Sequence, residues 1–314
     1  MIHNYAPVLV PTLNRFEHFR TCILSLVECK GSNQTDLFVL LDYPTKELHW
    51  EGYNKILEFL TNFNGFKSVN VIKRSTNFGA HDNIIDGYKI VFEKYDRLIL
   101  SEDDNVFSKD FLIYMNKTLE KYKDDSTIFS VSGYNYPITI PNQYQENIYL
   151  WCGFSAWGVG LWKDKLEKVN FNEKIVRSNI KSFFKDLNKV IQFNNIANIY
   201  ITSLIHMLKE KKIHSDIIIS LYQFLHNMNS VFPVVSRVRN TGNDGSGVNC
   251  SFIENDIYSS QEIFNGSNEY EISNINLSDK NIAKTLQRHF YLNKKAQIKV
   301  FCKVIFINLG LYKI

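Results

Sequence analysis

The stretch Arg97-Leu98-Ile99-Leu100-Ser101-Glu102-Asp103-Asp104-Asn105 decides how this chain is read. Leu98, Ile99 and Leu100 form an unbroken aliphatic run, the pattern of a strand buried on both faces. Three carboxylates follow at once. Adjacent like charges repel and burial adds to the penalty, so acids at a strand end need an offset. Two readings are open. One is a divalent cation, Mg2+ or Mn2+, which takes one or two carboxylates and completes its shell with water and substrate phosphates. The other is a solvated acidic helix start, with residues 105–108 capping a helix over 109–122.

Upstream, apolar runs at 6–11, 37–42, 69–73 and 97–101 recur about every thirty residues, the βαβ spacing. Between them lie helical patterns marked by Phe16, Phe19, Ile23, Leu24 and Leu26, then by Tyr53, Ile56, Leu57 and Leu60, then by Ile84, Ile85, Tyr88 and Phe92. This predicts an α/β fold, with a mostly parallel central sheet covered by helices on both faces. Ligands of such sheets bind at the carboxyl ends of the strands. The residues there are Pro11-Thr12-Leu13-Asn14-Arg15, Asp42-Tyr43-Pro44, Lys73 through Gly79, and Glu102-Asp103-Asp104. Neither G-x-G-x-x-G nor a P-loop occurs, so the common dinucleotide and NTPase fingerprints are excluded.

Downstream, residues 148–162 (IYLWCGFSAWGVGLW) are rich in aromatics and glycine. Helical patterns follow near 180–192, 196–210 and 217–227, then a short strand at 231–235 and the polar loop NTGNDGSG at 240–247. Residues 255–281 read as a connecting or mobile segment, and the last thirty as basic, apolar and helical. With 314 residues, 45% hydrophobic, the chain can bury a sizeable core. A net charge of +4 is too mild for a nucleic-acid binder. Five scattered cysteines without a CxxC pair fit inert core positions rather than zinc or disulfides. No targeting segment or membrane span is read. The expected location is cytoplasmic, with peripheral contact at the inner membrane face as an option for the basic tail.

Three motifs in order carry a resemblance. The series "PTLNR", "Asp42", "KRSTNFG" and "LILSEDDN" is similar to nucleotide-sugar glycosyltransferases of the GT-A fold. The relatives in view are the animal N-acetylglucosaminyltransferase that begins complex N-glycans and bacterial enzymes building capsule or lipopolysaccharide. GFSAWGVGLWKDKL at 153–166 resembles their acceptor segment, and VSRVRNTGNDGSGVNC at 235–250 resembles their last loop. The resemblance covers about residues 5–250. It implies a GT-A domain over 1–250, with a nucleotide-sugar-binding half at 1–135 and an acceptor half at 136–250, followed by a C-terminal extension at 251–314.

The resemblance further implies roles. Pro11, Thr12 and Arg15 line the nucleotide pocket, Asp42 faces the base, and His81 contacts the nucleotide. Glu102 meets the donor sugar, Asp103 the ribose or a metal-bound water, and Asp104 the metal. Strand alternation places Glu102 and Asp104 on one side and Asp103 on the other. Arg74 or Arg239 adds positive charge at the diphosphate. Trp157, Gly158, Asn240, Gly242 and Asp244 serve the acceptor or a lid over the donor. The general base is Asp216, with Asp164, Glu173 and Asp244 as alternates; as a plain structural residue Asp216 caps a helix with Ser215. One departure stands out: the relatives carry His where this chain has Asn249, and His226 is a poor substitute. No role is expected for His3, His18, His49, His206, His214 or His289.

The expected activity is metal-dependent (Mn2+ or Mg2+), inverting transfer of a sugar from a nucleoside-diphosphate donor, a uridine one favoured, to a hydroxyl of a bacterial glycan or lipid-linked glycan. Two rivals remain: a sugar nucleotidyltransferase, which normally needs a basic glycine-rich loop after the first strand, and a non-catalytic glycan- or nucleotide-binding module.

Overall fold

Alternation along each strand assigns its side chains to one of two cores. In β1 (Val8–Thr12), Val8 and Val10 enter one core and Leu9 the other; in β2 (Asp36–Leu41), Leu37, Val39 and Leu41 lie on the first side, Phe38 and Leu40 on the second. Full burial of such an aliphatic side chain contributes about 1.5–3 kcal/mol relative to exposure. The computed structural model describes residues 5–210, 212–247, 253–254, 256–266 and 270–312. Asn249, Cys250, His3 and Lys313 lie outside the described residues.

Helices α1 (Phe16–Val27), α2 (His49–Thr61) and α3 (Gly79–Phe92) connect β1, β2, β3 (Ser68–Lys73) and β4 (Arg97–Leu100), all four parallel. A short strand β5 (Asn105–Phe107) follows the acidic triplet and leads to α4 (Phe111–Lys121). The chain continues through β6 (Ile128–Ser132), β7 (Ile148–Trp151), β8 (Val159–Trp162) and the single turn α5 (Lys163–Leu166). Four helices come next: α6 (Glu173–Phe184), α7 (Leu187–Ile196), α8 (Ile199–Glu210) and α9 (Ser215–Leu225). Strands β9 (Asn229–Pro233) and β10 (Val238–Asn240) precede α10 (Lys280–His289) and α11 (Lys294–Asn308).

The large sheet has the order β3-β2-β1-β4-β8-β6-β9-β7. Six strands run one way; β8 and β7 run against them. One face is covered by α1, α2 and α4, through side chains such as Phe19, Ile56 and Met115. The other is covered by α3 and the later helices, through Tyr88, Ile180, Leu204, Leu286 and Val304. This is the α/β architecture that the sequence predicts, with both faces of a mostly parallel sheet covered.

Several local expectations are corrected. Residues 105–107 do not cap a helix: they form β5, antiparallel to β10, with Asn240 opposite Asn105. This small second sheet was not legible because each strand is three residues long. The helical pattern at 180–192 is two helices, since Asp186 accepts the Lys189 amide and caps a new one. In the segment read as 255–281, the described residues before α10 lack regular structure, yet Lys117 and Lys121 donate to the Tyr270 and Ile272 carbonyls and pin that part to α4. Cys22 and Cys29 are buried, but Cys302 is exposed. No helix among the described residues is long and apolar enough to cross a membrane.

Candidate active site at the carboxyl edge of the sheet

The strands β1 to β4 end on one edge, and the polar residues that follow them meet there. Strand β4 stops at Leu100, so Glu102, Asp103 and Asp104 occupy a turn and strand alternation does not hold for them. As a result Asp103 and Asp104 share one partner. The Arg15 guanidinium, at the start of α1, donates through Nη2 to Asp103 Oδ1 and to Asp104 Oδ2, the latter at 2.6 Å. Thr12, the last residue of β1, donates to Asp103 Oδ2 at 2.8 Å. Asp103 and Asp104 are 6% and 2% exposed. Burial works against the charge of Arg15, but Asp103 and Asp104 more than offset it and keep the guanidinium protonated. Burial likewise pushes Asp103 up, with Arg15 and Thr12 opposing.

The β5–β10 pairing brings the loop at 240–247 to the same place. Asn240 Nδ2 donates to Asp104 Oδ1 at 2.6 Å and to Asn105 Oδ1 at 3.0 Å. The Thr241 amide and hydroxyl both donate to the Asp104 carbonyl at 2.9 Å. A Cβ on Gly242 would lie 2.0 Å from Asp104 Oδ2, so only glycine permits this approach. Asp244 pairs with His18 Nε2 at 2.9 Å and accepts from Ser246. Burial alone would raise Asp244, but Ser246 and then His18 hold it below the usual carboxylate range. Asn240 and Gly242 thus meet the acid cluster directly.

Glu102 faces a different neighbour. Trp157 Nε1 donates to Glu102 Oε2 at 3.1 Å, and the Trp157 ring lies edge-on to Tyr134 and Tyr258, with centroids 4.7 and 5.6 Å away. Burial, then the charges of Asp104 and Asp103, push the Glu102 carboxyl up to about 8. Three carboxylates therefore answer to one guanidinium, and the excess negative charge shows in Glu102. Gly158 has φ +70° and its carbonyl accepts the Gly133 amide at 2.7 Å, so it builds the turn that presents Trp157.

The wall beyond is built from α3 and α9. His81 Nδ1 lies 2.9 Å from Ser215 Oγ, and its ring meets Phe171 edge-on. Because α3 starts at the carboxyl edge just after β3, this contact brings the first turn of α9 to that edge. Asp216 is in that turn; His214 is the N-cap and makes no side-chain cap bond, so Asp216 is not a capping residue. Burial raises the Asp216 carboxyl, against the Ile217 amide and His214. Its charge in turn raises Tyr136, after burial, and Tyr136 packs edge-on to Tyr134 at 5.2 Å. A run of aromatic rings thus links Glu102 to the surroundings of Asp216. Burial lowers His81, which favours its neutral imidazole.

Two predicted donor contacts are engaged in building the site. Asp42 accepts from the amides of Tyr43, Phe78 and Gly79 and from the Asn77 side chain, which fixes the turn into α3. Arg74 pairs with Asp86 at 2.6 Å, donates to Asn83 and lies 4.4 Å from the Phe78 ring centroid. Pro11 pairs with Leu40 inside the sheet, at the end of β1. Sequence reasoning missed His18, Thr241, Asn105, Ser215 and the two tyrosines. For His18 a signal was present: three positions after Arg15, it falls on the same face of α1.

The oxygen-only donor set fits a hard divalent cation. The uncompensated charge expressed in Glu102 is what such an ion would offset; here Arg15 and Asn240 hold the Asp104 oxygens. Among the described residues no group of three or more His, Cys, Asp and Glu is placed to hold a metal ion. Arg15 Nη1 and Arg239 Nε are buried without a hydrogen-bond partner among the described residues, two donors suited to an anionic ligand.

No protein-family model matches this chain, and no curated protein matches it. Among solved structures, residues 1–349 of S. aureus TarS in complex with UDP-GlcNAc align with 98% of this chain and 73% of that one, at 9% identity and a TM-score of 0.44. The mannosyltransferase PcManGT from Pyrobaculum calidifontis, in complex with GDP-Man and Mn2+, aligns with 53% of this chain and 46% of that one, at 12% identity and a TM-score of 0.37. A longer S. aureus TarS structure aligns with 76% of this chain and 37% of that one, at 12% identity and a TM-score of 0.45. The chain therefore spans less than half of PcManGT and of the longer TarS.

Proposed function

We propose that this protein is a nucleotide-sugar glycosyltransferase of the GT-A type, transferring a sugar with inversion to a hydroxyl of a glycan or lipid-linked glycan. The observation that carries the reading is the clamp of Asn240 and Thr241 on Asp104, beside Thr12 and Arg15 and next to Glu102. It assembles carboxylates, a guanidinium and neutral donors from three chain segments at the edge where α/β sheets bind ligands.

In this reading Thr12 and Arg15 orient the nucleoside diphosphate, and the unbonded nitrogens of Arg15 and Arg239 bind its phosphates. Asp104 would hold Mn2+ or Mg2+, with Asp103 supporting it; the cation supplies charge stabilisation to the leaving diphosphate. Glu102, aimed by Trp157, accepts hydrogen bonds from the donor sugar. Asp216 takes the proton of the acceptor hydroxyl, and its raised carboxyl makes it a stronger base than an exposed aspartate. Trp157 and Tyr136, backed by the fully buried Tyr134, present ring faces and edges to the acceptor. Attack from the side opposite the diphosphate with a single base inverts the anomeric centre. Uridine is the favoured base on the strength of the sequence resemblance.

The test is release of nucleoside diphosphate from a panel of nucleotide sugars with Mn2+ or Mg2+ present. One donor is expected to be consumed, and Asp104→Ala is expected to abolish turnover and weaken donor binding. A chain that binds and consumes no nucleotide sugar, or an Asp104→Ala variant as active as wild type, overturns the reading.

A further inference from the structure

Helix α11 has two apolar faces, and the fold uses one. Val300 and Val304 are buried where α11 packs on α6 and α8, and Asn308 Nδ2 donates to the Phe184 carbonyl at 2.7 Å. On the other side Ile298, Ile305, Phe306 and Leu309 are between 44% and 64% exposed, and Leu311 just beyond is 71% exposed. At helical spacing these four fall within a sector of about 100°. Lys294 borders the sector on one edge and Lys299 and Lys303 on the other, with Lys295 near the helix start. The charge of the whole segment is one-sided. Eight of the 36 basic residues and none of the 32 acidic ones lie after Asp279.

We infer that this face of α11 docks on an anionic lipid bilayer, lying in the interface with its aliphatic and aromatic side chains among the acyl chains. Lysines that flank an apolar stripe reach the headgroups while their stems stay along the apolar boundary. A second copy of this chain is a poorer occupant. A twofold contact of the face with itself sets lysines against lysines, with no acidic residue on the segment to answer them. A bilayer rich in anionic lipid satisfies both the apolar stripe and the charge. This inference does not rest on the sugar-transfer reading, because vesicle binding is read without any donor.

The experiment is co-sedimentation of the full chain with sucrose-loaded vesicles of mixed phosphatidylglycerol and phosphatidylcholine, against phosphatidylcholine alone. Binding is expected to the anionic vesicles, to weaken with salt, and to be at least about tenfold lower on neutral ones. Replacing Lys294, Lys295, Lys299 and Lys303 together by glutamine is expected to lower partition by about tenfold or more. The pair Ile305→Ser and Phe306→Ser should lower it to a similar degree, with thermal unfolding unchanged because both side chains are exposed. A wild-type chain that stays in the supernatant with both vesicles overturns the inference, as do variants that sediment like wild type. A dimer in light scattering that Ile305→Ser with Phe306→Ser dissolves also overturns it, and assigns the face to a second copy.

Discussion

Asn240 donates to Asp104 at 2.6 Å across 136 positions of sequence, and that bond joins the acid cluster to the last motif of the chain. The backbone reinforces it, since the Thr241 amide and hydroxyl both close on the Asp104 carbonyl. Asp104 is therefore fixed from both its main chain and its side chain before any ligand arrives.

Gly242→Ala tests how closely the loop must approach. The added methyl meets Asp104 Oδ2, so the loop has to move off the carboxylate. Overpacking of this kind costs about 1–3 kcal/mol. Donor binding is expected to weaken at least about tenfold, in line with that cost. Calorimetric titration with the donor and denaturant unfolding together check the two effects. Unaltered donor affinity would show that the close approach has no functional weight.

Glu102 makes stability depend on pH. Its carboxyl is raised to about 8 in the fold, from the ordinary glutamate value of 4.5, by burial and by Asp104 and Asp103. The native state thus holds a proton that the unfolded chain has already lost. Stability is greatest below about 4.5 and falls as pH rises toward about 8. Glu102→Gln is expected to flatten this slope, as read from thermal midpoints across that range. A slope unchanged by the substitution would place the charge strain elsewhere.

Trp157→Phe removes the N–H that orients Glu102 while keeping an aromatic ring against Tyr134 and Tyr258. Leaving the buried Glu102 carboxyl without this partner costs about 1–3 kcal/mol. The expected result is a kcat reduced by about 10- to 100-fold, within that range, with little change in thermal midpoint. Steady-state kinetics on the donor identified in the screen provide the check.

Asp216→Asn keeps the shape of the first turn of α9 and removes the carboxylate proposed as the base. Turnover is expected to fall at least about a hundredfold, as for a lost general base, with donor affinity retained. Full turnover in this variant would reject Asp216 and return attention to Asp164, Glu173 and Asp244. Ser215→Ala, which loses only the His81 contact, should have the smaller effect.

Asp110→Asn addresses the scaffold. Asp110 and Arg237 pair at 3.3 Å with side chains 1% and 3% exposed, and Tyr270 donates to the same carboxylate at 2.6 Å. Breaking one partner of a buried pair costs about 3–5 kcal/mol. Chemical denaturation should show a loss of that size.

What the sequence alone determined is local in origin. Alternation in Val8–Thr12 and Asp36–Leu41, and the three- and four-residue spacing in α1 to α3, declare strands and helices because side-chain direction follows backbone period. The acids at 102–104 declare themselves because three charges beside a buried strand need compensation. Tertiary structure alone decided which groups compensate them. Arg15 spans Asp103 and Asp104, Asn240 reaches Asp104, Trp157 takes Glu102, and Ser215 meets His81. Each of those bonds joins residues from separate segments, and their meeting depends on strand order, on the three-residue pairing of β5 with β10, and on the turn where β4 stops short. No periodicity encodes a contact between distant segments; it exists once packing has brought the two strand ends to one edge.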